Sequence, residues 1–100
     1  MEQHMRYMDA KDMVIIDTKQ RCMVVVSEGT GDNLLDEDVE QGYKDYAMLS
    51  LYTIDGDELA LVDSGQMMTE KLIADMTDQE YAEQAMSYFD LNKDSKVIKL

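Results

Sequence analysis

The sequence has little of what catalytic and metal sites need. It contains one cysteine, one histidine, no tryptophan and no proline in 100 residues. A lone cysteine excludes an internal disulfide, and Cys22 and His4 lack the paired spacing of a zinc or iron site. Nucleophilic catalysis lacks a histidine base outside the N-terminal arm, and no glycine-rich phosphate loop with a lysine is present. We therefore predict a protein that is not an enzyme and needs no cofactor.

Signals for a membrane or for export are also missing. No run of about 18 apolar residues occurs, so we predict no membrane span. The first residues, MEQHMRYMDAKDM, lack the basic start and apolar centre of a secretory signal. With a single cysteine, a reducing cytoplasm is the expected location. The length predicts one domain, residues 13–100, after a loose N-terminal arm, residues 1–12.

Basic residues are scarce. The chain has nine basic and 22 acidic residues, which gives a formal net charge of −13. The excess lies in residues 27–90, which carry 17 acids and two bases, whereas residues 91–100 carry three lysines and one acid. Such a field repels nucleic acid and anionic lipid and attracts basic protein surfaces. We expect a basic protein partner, with no direct binding to nucleic acid or membrane.

Short β-branched runs predict strands. MVIID (Met13–Asp17) and CMVVV (Cys22–Val26) are apolar at successive positions, which predicts central strands or strands covered on both faces. Tyr46–Ile54 and Asp57–Asp63 flank an Asp-Gly pair, a strong hairpin signal. A two-residue loop there would pair Leu49 with Val62 and place both on the core face.

The second half of the chain has helical patterns. Thr69–Met76 predicts a short helix, and a capping box of Thr77 and Glu80 predicts a second helix up to about Phe89. Ser95–Leu100 is typical of a brief edge strand. Strands followed by helices favour an α+β fold: an antiparallel sheet of four to five strands with two C-terminal helices packed on one face.

A long acidic connection is the first candidate for an interaction surface. SEGTGDNLLDEDVEQG spans Ser27–Gly42, which is long for a loop in a compact domain. Leu35 and Val39 are four residues apart, so a helical turn here would have a single buried edge formed by these two residues. The predicted partner-binding residues are Asp32, Asp36, Glu37, Asp38, Glu40 and Asp45.

Two alternatives use other properties of the chain. The same acids, with Glu80 and Glu83 on the last helix, could imitate the phosphates of DNA and occupy a nucleic-acid-binding protein. Ten methionines are a high content, and flexible thioethers suit adaptable interfaces. A homodimer is therefore a second open possibility.

The stretch FDLNKDSKV begins like a calcium-binding loop, with Asp90, Asn92 and Asp94 at alternate positions. Ser95 stands where such a loop needs glycine, and the sequence given ends before the bidentate glutamate. A turn between a helix and a final strand explains the same residues. Weak calcium binding through the 90–94 loop is the remaining alternative.

The segment VVVSEGTGDNLLDEDVEQGYKDYAMLSLY, followed by DSGQMM, resembles small acidic accessory proteins of bacterial conjugative or integrative elements. The resemblance covers residues 13–90. No activity is assigned to that family, so it implies none here. Since such elements often carry proteins that blunt host nucleases, the resemblance favours the DNA-mimic alternative.

Overall fold

A computed structural model describes residues 11–29 and 34–100 of the chain. They form a five-stranded antiparallel sheet in the order β4-β3-β2-β1-β5, which confirms the predicted antiparallel sheet. The strands are β1 (Met13–Asp17), β2 (Cys22–Glu28), β3 (Asp45–Asp55), β4 (Glu58–Thr69) and β5 (Lys96–Lys99). The helical elements are α1 (Asp36–Glu40), a 3-10 turn (Ile73–Asp75) and α2 (Asp78–Tyr88).

The two faces of the sheet are unequal. Alternate residues of β1 and β2, such as Ile15 and Val24, are fully buried and pack with α2 residues such as Tyr81 and Met86. Their neighbours, such as Val25, point to the opposite face and are only half-buried. The prediction of central strands is confirmed, since β1 and β2 lie inside the sheet. Among residues 11–29 and 34–100, α2 packs on one face of these strands, and the residues on the other face are half-buried.

The prediction of two C-terminal helices is confirmed for one of them. α2 covers most of the predicted helix up to Phe89. The segment Thr69–Met76 instead contains the last residue of β4, a bend and the 3-10 turn. The Thr69 hydroxyl donates to the carbonyl of Lys71, and the amide of Ile73 donates to the Asp45 carboxylate. The Thr69 hydroxyl and the Ile73 amide therefore have partners other than those they would have in a helix that begins at Thr69.

The capping box of α2 is present as predicted. The Thr77 hydroxyl accepts from the Glu80 amide at 3.1 Å, and the Glu80 carboxylate accepts from the Thr77 amide at 3.1 Å. Replacing Thr77 with alanine should lower the free energy of unfolding by about 1 kcal/mol, because the Glu80 amide loses the hydroxyl that accepts its hydrogen bond. Urea denaturation measures this. Thr18→Ala, in the exposed β1–β2 turn, is the control, and an equal loss in both variants would contradict the cap's role.

The start of the described chain is fixed to the rest of the fold. The Lys11 side chain donates to the carbonyl of Met76 and lies 3.8 Å from the Asp78 carboxylate, which also binds Lys99 at 2.7 Å. The hydrogen bond from Lys99, followed by the charges of Lys99 and Lys11, lowers the pKa of Asp78 against the opposing effect of burial. Residues 1–10, most of the predicted arm, lie outside the described residues.

Among residues 11–29 and 34–100, no helix has the length and apolar character that crossing a bilayer requires. The longest, α2, has 11 residues, whereas a spanning helix needs about 20.

Candidate functional site

The acidic connection contains a short helix, α1, and none of the side chains of α1 packs in the core. α1 has five residues, and none of them is buried. Three acids, Asp36, Glu37 and Asp38, occupy its first turn, where the helix dipole favours negative charge. The predicted buried edge is wrong, because Leu35 and Val39 are 61% and 57% exposed. The helix thus presents apolar side chains and carboxylates together to solvent.

The structure does not bring all the predicted partner-binding acids to this surface. Asp36, Glu37 and Glu40 are exposed on α1. Asp38 is half-buried and accepts from the Leu35 amide at 3.3 Å. Asp45 is also half-buried, and its carboxylate accepts from Ile73 at 3.0 Å. Asp32 lies outside the described residues.

The DNA-mimic alternative also uses acids of α2, which are not equivalent in the structure. Glu80 serves the capping box and accepts from Lys71 at 3.1 Å. The backbone hydrogen bond from Thr77, followed by the side-chain bond from Lys71, lowers the pKa of Glu80. Glu83 is exposed. Glu80 and Asp45 therefore make hydrogen bonds within the chain. They do not extend a row of free carboxylates from α1 to α2.

The β3–β4 hairpin turns one residue later than predicted. Asp55 pairs with Glu58, which leaves Gly56-Asp57 as the loop. Gly56 has a φ of +66° and Asp57 keeps a negative φ, as a type II′ turn with glycine in its first central position requires. A bulge then leaves Val62 unpaired between the pairs Leu51–Asp63 and Tyr52–Leu61.

Of the two hairpin residues predicted to lie on the core face, Leu49 is buried and Val62 is not. Leu49 lies opposite Gly65, and Val62 is 53% exposed. Leu59 and Leu61 are 54% and 60% exposed. Every residue from Glu58 to Ser64 is exposed, so we call this segment the distal strand. The prediction that Val62 shares the core face with Leu49 is wrong, because the bulge changes the alternation along β4.

A buried carboxylate at the end of β1 accepts hydrogen bonds from several donors. Asp17 is 1% exposed and accepts from the amides of Lys19, Gln20 and Asn92 at 2.9–3.1 Å. The side-chain amides of Gln20 and Asn92 also donate to it. Burial raises the pKa of Asp17, but the bonds from Asn92 and Gln20 outweigh it and hold that pKa well below its usual range. The charged carboxylate therefore connects the β1–β2 turn to the segment after α2.

This connection accounts for the residues that suggested a calcium loop. The Asn92 side chain bonds to Asp17, and the Asp94 carboxylate accepts from Lys19 at 3.1 Å. Asp90 has a φ of +56°, and its carbonyl accepts from the Gln20 side chain. Within residues 11–29 and 34–100, no group of three acid, cysteine or histidine side chains is arranged to hold a metal ion. The contacts support the turn between α2 and β5.

Two buried groups that could react are held in their neutral forms. Burial, and then the charge of Asp17, raise the pKa of the Cys22 thiol. Burial, and then the charges of Glu28, Asp12 and Asp45, raise the pKa of Tyr81 above its ordinary value. The Tyr81 hydroxyl is buried without a hydrogen-bond partner among the described residues. A protonated thiol is a weak nucleophile, so Cys22 acts here as a small core residue.

Two exposed surfaces among the described residues share one composition. They are α1 and the distal strand, where carboxylates lie beside exposed aliphatic residues. Signals for α1 were present in the sequence, whereas the bulge beside the exposed distal strand was not predicted. A scan against protein-family models, a search of curated proteins and a search of solved structures each give no match to this chain.

Proposed function

We propose that this chain is a non-catalytic, acidic protein-binding module that acts in the cytoplasm on a partner with a basic surface. The observation that carries the proposal is α1, which buries none of its residues and exposes Leu35 and Val39 beside Asp36, Glu37 and Glu40. An isolated helix of this length is not stable by itself in water. A partner that covers its apolar side chains would stabilise it.

The charge of the chain supports the nature of the partner. Residues 27–90 carry 17 acids and two bases. Of the α1 acids, Asp36, Glu37 and Glu40 form none of the ion pairs found between described residues. Exposed carboxylates of this kind speed encounter with a basic surface and select against acidic ones. The resemblance to accessory proteins of mobile elements is compatible with this role and is part of the proposal.

A pull-down from host lysate at low and high salt tests this function. The triple variant Asp36→Asn, Glu37→Gln, Glu40→Gln should retain its partner about tenfold less tightly than the parent, because three attractive contacts are lost. The matched control removes three equally charged, exposed acids elsewhere: Glu70→Gln, Asp75→Asn, Glu83→Gln.

The control separates a local surface from a general effect of net charge. Equal losses in the two triple variants would contradict a binding surface on α1. If the captured partner binds nucleic acid, duplex DNA should compete with the chain, and this competition would identify the DNA-mimic alternative. Capture that persists at high salt would indicate that Leu35 and Val39 dominate the contact.

A further inference from the structure

The two edges of the sheet differ in how they are protected. β5 has four residues, of which Lys96 and Lys99 are charged, and lysine on a short strand discourages further pairing. β4 has 12 residues and contains neither lysine nor proline. Natural sheets protect long edges with such residues or cover them. The β4 edge is therefore the longer of the two, and its charged residues, Glu58 and Asp63, are acidic.

Part of the β4 edge is covered within the chain. The Gln84 side chain of α2 donates to the Met68 carbonyl at 3.0 Å, and Met67 and Thr69 are buried. The distal strand, Glu58–Ser64, has no such cover from the described part of the chain, and all its residues are exposed. The bulge at Val62 interrupts the ladder only once, and bulges occur beside binding sites as well as at edges.

The side chains of this region define the chemistry of an added strand. Residues 45–69 contain no lysine or arginine, and their acids are Asp45, Asp55, Asp57, Glu58 and Asp63. The aliphatic residues Leu59, Leu61 and Val62 lie between these acids and are more than half exposed. A strand that alternates basic and apolar residues would match both the charge and the exposed apolar surface.

A second copy of the chain matches this edge poorly. In one symmetric antiparallel register, centred between Ala60 and Leu61, Glu58 would lie opposite Asp63 of the other copy. Like charges directly opposite each other are destabilising in a sheet, and each copy carries a net charge of −13. The charge of the edge therefore favours a basic strand from another protein.

We propose that the distal strand is a strand-addition site, which takes an extended basic segment of a partner protein as the sixth strand of the sheet. Backbone hydrogen bonds to the free edge of β4 supply affinity, and the carboxylates around it select lysine and arginine. The proposal rests on the proposed function only in its choice of a basic protein partner. The site itself is separate from α1.

Calorimetric titration with a short synthetic peptide of alternating lysine and valine tests the proposal. This peptide should bind about tenfold more tightly than a copy methylated at alternate backbone amides, because the copy keeps the charge but loses strand hydrogen bonds. Hydrogen exchange should slow in the distal strand when the peptide is added. Equal affinity of the two peptides, or no binding of either, would overturn strand addition.

A matched pair of variants locates the peptide. Leu61→Lys adds a positive charge to the distal strand, and Leu35→Lys makes the same change at a side chain of equal exposure beside α1. Leu61→Lys should weaken the peptide about tenfold, whereas Leu35→Lys should leave its affinity nearly unchanged. Both positions are exposed, so both variants should fold.

The outcomes distinguish this proposal from the proposed function. Slowed exchange at α1 alone, or capture of a host partner that ignores Leu61→Lys, would overturn strand addition and leave the acidic module standing. A second copy on the edge would be shown by a dimer mass in solution and by slow hydrogen exchange of the β4 amides even without peptide. This result would also overturn the proposal.

Discussion

Replacing Asp17 with alanine should lower the free energy of unfolding by about 3–4 kcal/mol, since one buried carboxylate satisfies several donors. The amides of Lys19, Gln20 and Asn92 would lose their acceptor, as would the side chains of Gln20 and Asn92. Asp17 is also 1% exposed, so water cannot easily replace the lost bonds. Urea denaturation followed by circular dichroism measures the loss.

The control for this prediction is a nearby exposed carboxylate. Asp94 pairs with Lys19 at 3.1 Å, but both side chains are 67% exposed. Asp94→Asn should therefore change stability by less than about 1 kcal/mol. If Asp17→Ala were no more destabilising than Asp94→Asn, the buried carboxylate would not be the connection between the β1–β2 turn and the segment after α2.

The stability contributed by Asp17 should depend on pH in a defined direction. Its folded-state pKa lies below the ordinary value of an aspartate, about 3.9. A lowered pKa gives stability that is fully present above that value and is lost as the pH falls through the folded pKa. The difference in stability between the parent and Asp17→Ala should therefore shrink below about pH 4. A difference that grows with acidification would contradict this linkage.

Replacing Gly29 with alanine should lower the free energy of unfolding by about 2–3 kcal/mol through overpacking. A Cβ at this position would overlap the ring of Tyr46, which is 4% exposed and has little room to move. The Gly29 amide also donates to the Tyr46 carbonyl at 3.0 Å, which holds the two residues together. Thermal or urea denaturation measures the effect.

Gly65→Ala is the matched control, because its Cβ would also overlap a tyrosine. There the contact is with the hydroxyl end of Tyr88, which is 44% exposed and can rotate into solvent. The expected loss is about 0.5 kcal/mol or less. Similar losses at Gly29 and Gly65 would show that backbone conformation, rather than the packing of Tyr46, sets the requirement for glycine.

The parts of the fold that were predictable from sequence are those with local causes. The β-branched runs of β1 and β2 favour strands wherever they are placed, and Thr77 and Glu80 form their cap within one helical turn. The predicted hairpin exists, but its register is wrong, because Asp55-Gly56 and Gly56-Asp57 can both form a two-residue turn. The pairing of β4 with β3 determines which of these two turns forms, and it includes a bulge at Val62.

The candidate sites also combine features with local causes, which were predictable, and features that depend on distant contacts, which were not. The acids of α1 and the helical turn could be predicted because they are adjacent in sequence, whereas the exposure of Leu35 and Val39 could not. Asp90, Asn92 and Asp94 suggested a metal loop because their spacing is local. Their contacts with Asp17, Gln20 and Lys19 join residues more than 65 positions apart, and nothing in the spacing indicates these contacts.

The sequence by itself determined the strand and helix patterns, the excess of negative charge and the scarcity of groups for metal or nucleophilic chemistry, because these depend on residue type and short spacing. The tertiary structure alone decided that Asp17 binds Asn92, that α1 stays unburied, and that the distal strand lies at a free edge. Such features depend on which distant segments meet, and the free energy of that packing is a property of the whole chain.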